Sequence, residues 1–410
     1  MKLKKRFIHG IFSVETNECM KILLVHNDYG KYSGEEAVVD RLAAMWTVHG
    51  HEVAQLRKTT AGSRESLTGK IRGFCAGLYC PSGVKAMREA LQREKPDMVN
   101  VHNLYPFISP AALFECKKAG VPVVMTVHNF RLICPTGLFM RDGRPCERCL
   151  EKGNEWGCIR YNCEHSLLKS VGYAARNAVA RLTKAYSECV DKFACITDFQ
   201  RQKLIEAGFR EDRMTVIPNA VEAPTSYEKI QGSYVAYCGR LSREKGVDMI
   251  VEVARRHPEI EFRLAGALRD KKQLGILPEN VSLTGYLSGN ELAEFYKHAA
   301  FCVMASRWYE GFPMSILEAA QYGKPTIGPD HGGFTEIIGK GEKAIGRLFT
   351  PNDMADLERQ ITGLWRQQEM VEELGERAFR KLQQEYSTET VYQKWNGLSE
   401  NLLHKENGQK

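Results

Sequence analysis

Two cations and two carboxylates carry the clearest chemistry in this 410-residue sequence. In ASRWYEGFPMSILEAAQYGKP, Gly311 and Pro313 suit a turn into a helix with Pro313 at its first position. Glu310 then stands just before the helix, and Glu318 lies more than a turn inside it. The amides of Met314 and Ser315 face outward from such a start, ready for an anion such as phosphate, with the helix dipole behind them. The two carboxylates suit acceptance of hydrogen bonds from hydroxyl groups. In CGRLSREKGVD, Gly239 lets the chain approach a ligand closely. Arg240 offers paired donors to phosphate oxygens, and Lys245 adds a movable point charge. A third segment, DHGGFTEII, brings the amides of Gly332, Gly333 and Phe334, with Glu336 close behind. Each piece alone is ordinary: an acid at a helix start, solvated basic residues, a glycine turn. Three such loops after strands of one domain point together to a diphosphate-bearing ligand.

The first half adds two loops and a puzzle. NDYGKYSGEEAVV carries Gly30 and Gly34 into a helix, and TVHNF places His128 at a strand end. A histidine there is either structural or within reach of a bound ligand. His102 and Asn103, after another strand, are further candidates for such a role or passive lining of an acceptor pocket. The Cys- and Gly-rich stretch 131–165 holds Cys146-x2-Cys149, a metal-ligand spacing, with Cys134, Cys158, Cys163 and His165 nearby. A structural zinc on Cys146, Cys149, Cys158 and Cys163 is one reading. Free thiols in a packed loop are the other, because a second Cys-x2-Cys is absent.

Strands must present these residues. KILLVHN, GHEVAQL, DMVNVHN, VPVVMTVHN and KFACITD read as buried strands separated by helices over 35–49, 85–94, 110–119 and 199–207. Residues 221–232 are polar, with Pro224 and Gly232, and read as a hinge. The alternation restarts with SYVAYCG, IEFRLAG, VSLTGYL, FCVMAS and KPTIG, with helices over 247–256, 291–299 and 313–322. The expectation is an α/β chain of two facing Rossmann-like, doubly wound domains, 20–220 and 233–385, with residues 386–410 forming a helix packed back on the first domain. Such sheets bind ligands beyond the carboxyl ends of their strands, so the cleft between the domains is the expected site. Residues 1–19 imitate the start of a signal peptide but lack its apolar length and cleavage site, and read as an extension outside the fold.

A composition of 43% hydrophobic and 26% charged residues suits a soluble globular chain, and no apolar run is long enough to cross a bilayer. Thirteen cysteines, scattered through strands as well as loops, suit a reduced, cytoplasmic setting. The net charge of +7 is uneven: residues 1–219 carry 33 Lys+Arg against 23 Asp+Glu, and 220–410 carry 24 against 27. A basic first half suits an anionic partner, either the inner membrane face or a lipid-phosphate acceptor. SLLKSVGYAARNAVARLTKAYSECV interleaves apolar and small residues with Lys169, Arg176, Arg181 and Lys184. That segment reads either as a helix lying on an anionic membrane or as a core helix with a wet face. No nucleic-acid motif is present, and no nucleic-acid partner is expected.

GRLSREKG, Glu310-x7-Glu318 with GFPMSILEA, and HGGFTEII resemble the donor site of the retaining GT-B glycosyltransferases of family four. The likeness runs from Met20 to the YSTETVYQKW terminus. It implies a retaining hexosyltransferase that moves a hexose from a nucleotide-diphospho-sugar to a glycan or glycolipid acceptor, building a cell-surface polysaccharide. By resemblance, Arg240 and Lys245 hold the donor diphosphate, Glu310 contacts the sugar, Glu318 contacts the ribose and His128 lies near the sugar. Gly34, Gly239, Gly311, Phe312, Pro313, Met314, Ser315, Gly332 and Gly333 are the matching donor-side positions. The resemblance requires no cofactor. Without an Asp-x-Asp motif to hold a divalent cation, Arg240, Lys245 and helix amides would stabilise the leaving diphosphate. Two rival readings remain: a GT-B nucleotide-sugar epimerase, and a non-enzymatic zinc- or nucleic-acid-binding protein resting on charge and cysteines alone.

Overall fold

Short apolar strands alternating with helices build two parallel sheets, seen in a computed structural model that describes residues 19–30, 33–62, 66–268 and 274–407. Residues 1–18 of the expected extension lie outside the described residues. The first sheet holds β1 (Lys21–Asp28), β2 (Glu52–Thr59), β3 (Met98–Val101) and β4 (Val123–Val127). A two-stranded antiparallel ribbon, β5 (Met140–Arg141) and β6 (Arg144–Pro145), stands apart from it. β7 (Lys192–Cys195) and β8 (Met214–Val216) complete the sheet in the order β2-β1-β3-β4-β7-β8. The second sheet holds β9 (Tyr234–Cys238), β10 (Phe262–Ala265), β11 (Val281–Gly285), β12 (Ala299–Val303), β13 (Thr326–Pro329) and β14 (Gly346–Phe349). Its order is β11-β10-β9-β12-β13-β14. Both are doubly wound, so β1/β3 and β9/β12 are the points where strand order reverses and a crevice opens.

The central strands are buried along their whole length, as β4 and β12 show, because helices cover both faces. The last helix, Thr388–Asn407, leaves the second domain and packs on the first. Its Val391, Tyr392 and Trp395 join Trp46 and Met20 in one apolar cluster. Tyr392 also meets His51 at 3.0 Å.

Segment 166–190 breaks in two where Lys184 turns left-handed at φ 55°. Its long helix, Leu167–Leu182, is inverted: Ser170, Gly172, Ala174, Arg176 and Ala180 face inward, while Leu167, Leu168 and Leu182 are exposed. Gly172 is the reason for close packing there, since a Cβ on it would lie 2.4 Å from the Phe74 ring of the neighbouring Leu67–Leu78 helix. Among the described residues, no helix is long and apolar enough to cross a membrane.

Candidate active site

The β9 and β12 loops meet at the second sheet's switch point and bring together charges 65 residues apart. Lys245 Nζ donates to Glu310 Oε1 at 2.7 Å, with both side chains close to nine-tenths buried (12% and 10% exposed). The Ser306 hydroxyl donates to the same oxygen. Burial pushes Glu310 up, but the Lys245 ammonium and the Ser306 hydrogen bond outweigh it and hold the carboxyl below its ordinary range. Glu310 is therefore an ionised acceptor. Glu318, inside the Met314–Ala320 helix, goes the other way: burial raises it, only partly offset by Arg41 and a 3.3 Å hydrogen bond from the Tyr296 hydroxyl. Arg240 is more open, 40% exposed and 3.7 Å from Glu244, so its guanidinium is loosely held.

Two glycines make this geometry possible. Gly246 is left-handed at φ +66°, and a Cβ there would stand 1.9 Å from the Ala305 carbonyl oxygen. Only a bare backbone lets the Arg243–Lys245 turn press on the end of the β12 segment and deliver Lys245 to Glu310. Gly333 is also closely packed, though less so: its Cβ would lie 2.6 Å from the Gly311 carbonyl oxygen, and its amide donates to the Glu310 carbonyl at 2.8 Å. This differs from the expectation that the Gly333 amide faces a ligand; it is spent on fixing the loop that carries Glu310. Pro313 is likewise the N-cap, with Met314 the first helical residue, one position later than expected. No side chain caps that helix start.

Across the cleft, the loops after β1, β3 and β4 form a buried polar web. His102 Nδ1 and His128 Nε2 stand 2.7 Å apart with stacked rings, and burial lowers both, leaving neutral imidazoles. His26, fully buried nearby, is pushed down to about 4 by burial. Glu35 accepts from the Tyr29 hydroxyl at 2.7 Å and from Asn129 Nδ2 at 2.8 Å. Arg131 ties this acid to Asn103 through donations to Tyr29 Oη at 3.2 Å and Asn103 Oδ1 at 3.1 Å. Burial pushes Glu35 up, yet the Arg131 guanidinium, these donors and, whenever it carries a proton, His128 bring it below its ordinary range. Gly34, expected to face the donor, is exposed with nothing within 4 Å of its Cβ position. The chemistry sits one residue on, at Glu35, where a first-turn acid signals only a helix start. His26, Asp28 and Glu36 also place ligand-type atoms within 4.8 Å of one another. Glu36 is committed there to the capping box with Ser33.

The two halves touch. A Cβ on Gly311 would lie 3.3 Å from the His128 carbonyl oxygen and 3.2 Å from Ile196 Cδ1. Tyr309 packs on Phe199 at 5.1 Å and on Phe139 of the 131–165 insertion at 6.4 Å between ring centroids. Glu336, close behind the glycine turn, accepts from the amides of Asp198 and Phe199 at 2.9 and 3.0 Å. It completes the start of the Asp198–Glu206 helix of the opposite domain. Sequence reasoning misses Ser306, Glu35 and this Glu336 cap because none belongs to a spacing motif. The zinc candidates Cys146, Cys149, Cys158 and Cys163 all lie in the insertion.

Two family descriptions match the chain: "Glycosyl transferases group 1" over residues 226–381 and "Glycosyltransferase Family 4" over 32–223. Mannosylfructose-phosphate synthase of Agrobacterium fabrum is 29% identical over 38% of this chain, a match spanning only 37% of that relative. Alpha-D-kanosaminyltransferase of Streptomyces kanamyceticus is 26% identical over 66% of this chain and 69% of its own length. Anabaena HepE, solved with UDP and glucose, superposes with a TM-score of 0.63 at 17% identity, covering 93% of this chain and 99% of its own.

Proposed function

Because the chain belongs to the group 1 glycosyl transferases on the two-domain, Rossmann-like GT-B fold, we propose that it moves a hexose from a nucleotide-diphospho-sugar to a glycan or lipid-linked acceptor, with retention and without a catalytic metal, in polysaccharide or glycoconjugate synthesis. The observation that carries this reading is the buried Lys245–Glu310 pair at the β9/β12 switch point, on a loop whose Gly311 lies against the His128 backbone of the other domain. The donor diphosphate lies against Arg240 and Lys245, which neutralise the charge that grows on it as the bond to the sugar breaks. Glu310, kept ionised, accepts hydrogen bonds from sugar hydroxyls, and Glu318 accepts from the ribose. The acceptor oxygen attacks from the leaving group's own face and gives its proton to the departing phosphate. Neutral His128, paired with His102, serves as a hydrogen-bonding neighbour of the sugar.

UDP-hexoses are the first donors to test, given the UDP held by HepE. A screen of UDP-, GDP- and dTDP-hexoses should single out one base by thermal shift, worth about 2.7 kcal/mol at one hundred times Kd. Failure of every nucleotide-sugar to stabilise the protein would sink the donor assignment. Conversion of the donor to its epimer without acceptor would favour the epimerase instead.

We place the acceptor side on the inner membrane face, through the inverted Leu167–Leu182 helix. Leu167, Leu168 and Leu182 are exposed on it, Trp156 on the Trp156–Arg160 helix and Ile71 on the Leu67–Leu78 helix, whose Phe74 packs against Gly172. Vesicles containing phosphatidylglycerol should float the protein at low salt, and Leu168→Asp should cut the floated fraction severalfold. Equal flotation of the variant, or none by the wild type, removes this face from the reading.

A further inference from the structure

Cys134, Cys146, Cys149, Cys158 and Cys163, spread over 30 residues of sequence, line one small enclosed cavity in the insertion. Neither histidine nor carboxylate lines it. The insertion has little regular structure of its own and is pinned from outside, by Arg181 on Glu155, Lys203 on Glu147 and Arg176 on the Pro135 carbonyl. Its regular structure is two strands of two residues and two helices of five, Arg148–Lys152 and Trp156–Arg160. Its only buried hydrophobics are Ile133, Phe139, Leu150 and Cys158, too few for a self-supporting core. It also carries four left-handed residues that are not glycine: Phe139, Asp142, Asn162 and His165. Strained backbone of this kind persists only where the surroundings over-determine it. Small loop-rich units with a weak core are commonly stapled by disulfides or metal, and all five of these cysteines are free.

The charges around the cavity favour thiolates. Arg141, Arg148 and Arg160 stand over the ring of Tyr161, which lines the cavity, at 4.2, 5.0 and 5.8 Å. Arg148 also donates to the Tyr161 hydroxyl at 2.9 Å. Three guanidiniums gather on one aromatic ring, and among the described residues only Arg141 of the three stands beside an acid (Asp142 at 3.4 Å), so the cavity mouth is positive. Four thiolates on a divalent ion leave a net charge of −2, which this collar balances.

We propose that the cysteine ring of the insertion holds a soft metal centre on its thiolates. Binding releases one proton from each ligating thiol to solvent and involves no change of oxidation state in the protein. The centre is a structural staple, remote in role from sugar transfer. It fixes Phe139 against Tyr309, and so steadies the loop that carries Glu310. The ring is wide: a tetrahedral zinc draws its sulfurs to about 3.8 Å from one another, whereas among the described residues no three of these sulfurs lie mutually within 4.8 Å. A single zinc closes the ring by side-chain rotation, and an iron–sulfur cluster fills it more widely; thiolate ligation of a soft metal is common to both.

Metal analysis and acid-labile sulfide on the full chain, purified anaerobically without chelator, separate these sources. Stoichiometric zinc without sulfide identifies the single ion, and iron with matching sulfide identifies the cluster. The Cys149→Ser/Cys158→Ser variant should lose that metal, and Cys75→Ser, an exposed thiol outside the insertion, should keep it. Should the double variant fail to fold, the wild type incubated with Co2+ supplies the second reading. Thiolate-to-cobalt charge-transfer bands support the proposal, and their absence overturns it. Metal that survives the double substitution, or a metal-free wild type whose five insertion thiols all react freely after incubation with zinc, overturns it as well.

Discussion

Lys245→Ala should fold and bind acceptor yet lose about 10²- to 10³-fold in kcat, in line with removal of one preorganised group that stabilises transition-state charge. Two effects add. The leaving diphosphate loses its most buried cation, and Glu310 loses the partner that keeps it ionised. Burial is then opposed only by hydrogen bonds such as that from Ser306, and Glu310 rises from its wild-type value. The sign follows: a wild-type carboxyl held low is ionised throughout the neutral range, so its activity is flat on the acid side until the pH falls to that depressed value. In the variant the acid limb moves up, and residual activity recovers with rising pH. Lys245→Arg restores charge without the compact ammonium, and should rescue only part of the loss. Steady-state kinetics across pH, with circular dichroism to show the fold intact, check both claims. A kcat within threefold of wild type would remove Lys245 from the leaving-group site.

Gly246→Ala tests the backbone that delivers this lysine. The new methyl must avoid an oxygen 1.9 Å away, and the residue must hold φ +66°. Left-handed backbone costs about 1–2 kcal/mol for an L-residue, and forced overpacking adds roughly 1–3 kcal/mol. A loss of about 3 kcal/mol lowers Tm by about 10 °C for a domain of this size. Donor affinity should fall with it, because the Arg243–Lys245 turn must draw back from Ala305. Gly34→Ala is the control: its Cβ position is empty, and it should leave Tm unchanged. Equal melting of the two variants would show that the turn yields freely.

The strands were legible wherever helices cover both faces, since β4 and β12 are then unbroken apolar runs. β14 escapes that reading because it is a four-residue edge strand with only its end residues buried. The helices Met354–Trp365 and Gln368–Lys381 are missing from the expected element order, although Leu357, Ile361 and Leu364 have helical spacing. The three glycine-flanked loops of the candidate site stand out for a local reason: tight turns restrict which residues can occupy them. What sequence does not carry is who meets whom. Lys245 reaches Glu310 only because β9 and β12 are neighbours, and Gly333 holds Glu310 rather than a ligand only because two loops stack. The His102–His128 contact likewise depends on β3 and β4 lying side by side.

Glu336 makes the start of the Asp198–Glu206 helix the joint property of two separately cored domains. Severed at the hinge, the first half would carry an unfinished helix end and also lose the Thr388–Asn407 helix that packs on its Trp46 cluster. When the halves swing apart, the carboxylate and the two amides exchange one another for water at small net cost. The Tyr309–Phe199 contact has no such substitute, because aromatic surface gains nothing comparable from water. Parting of the halves is thus resisted by grease more than by charge, and the motion should respond weakly to ionic strength and strongly to temperature.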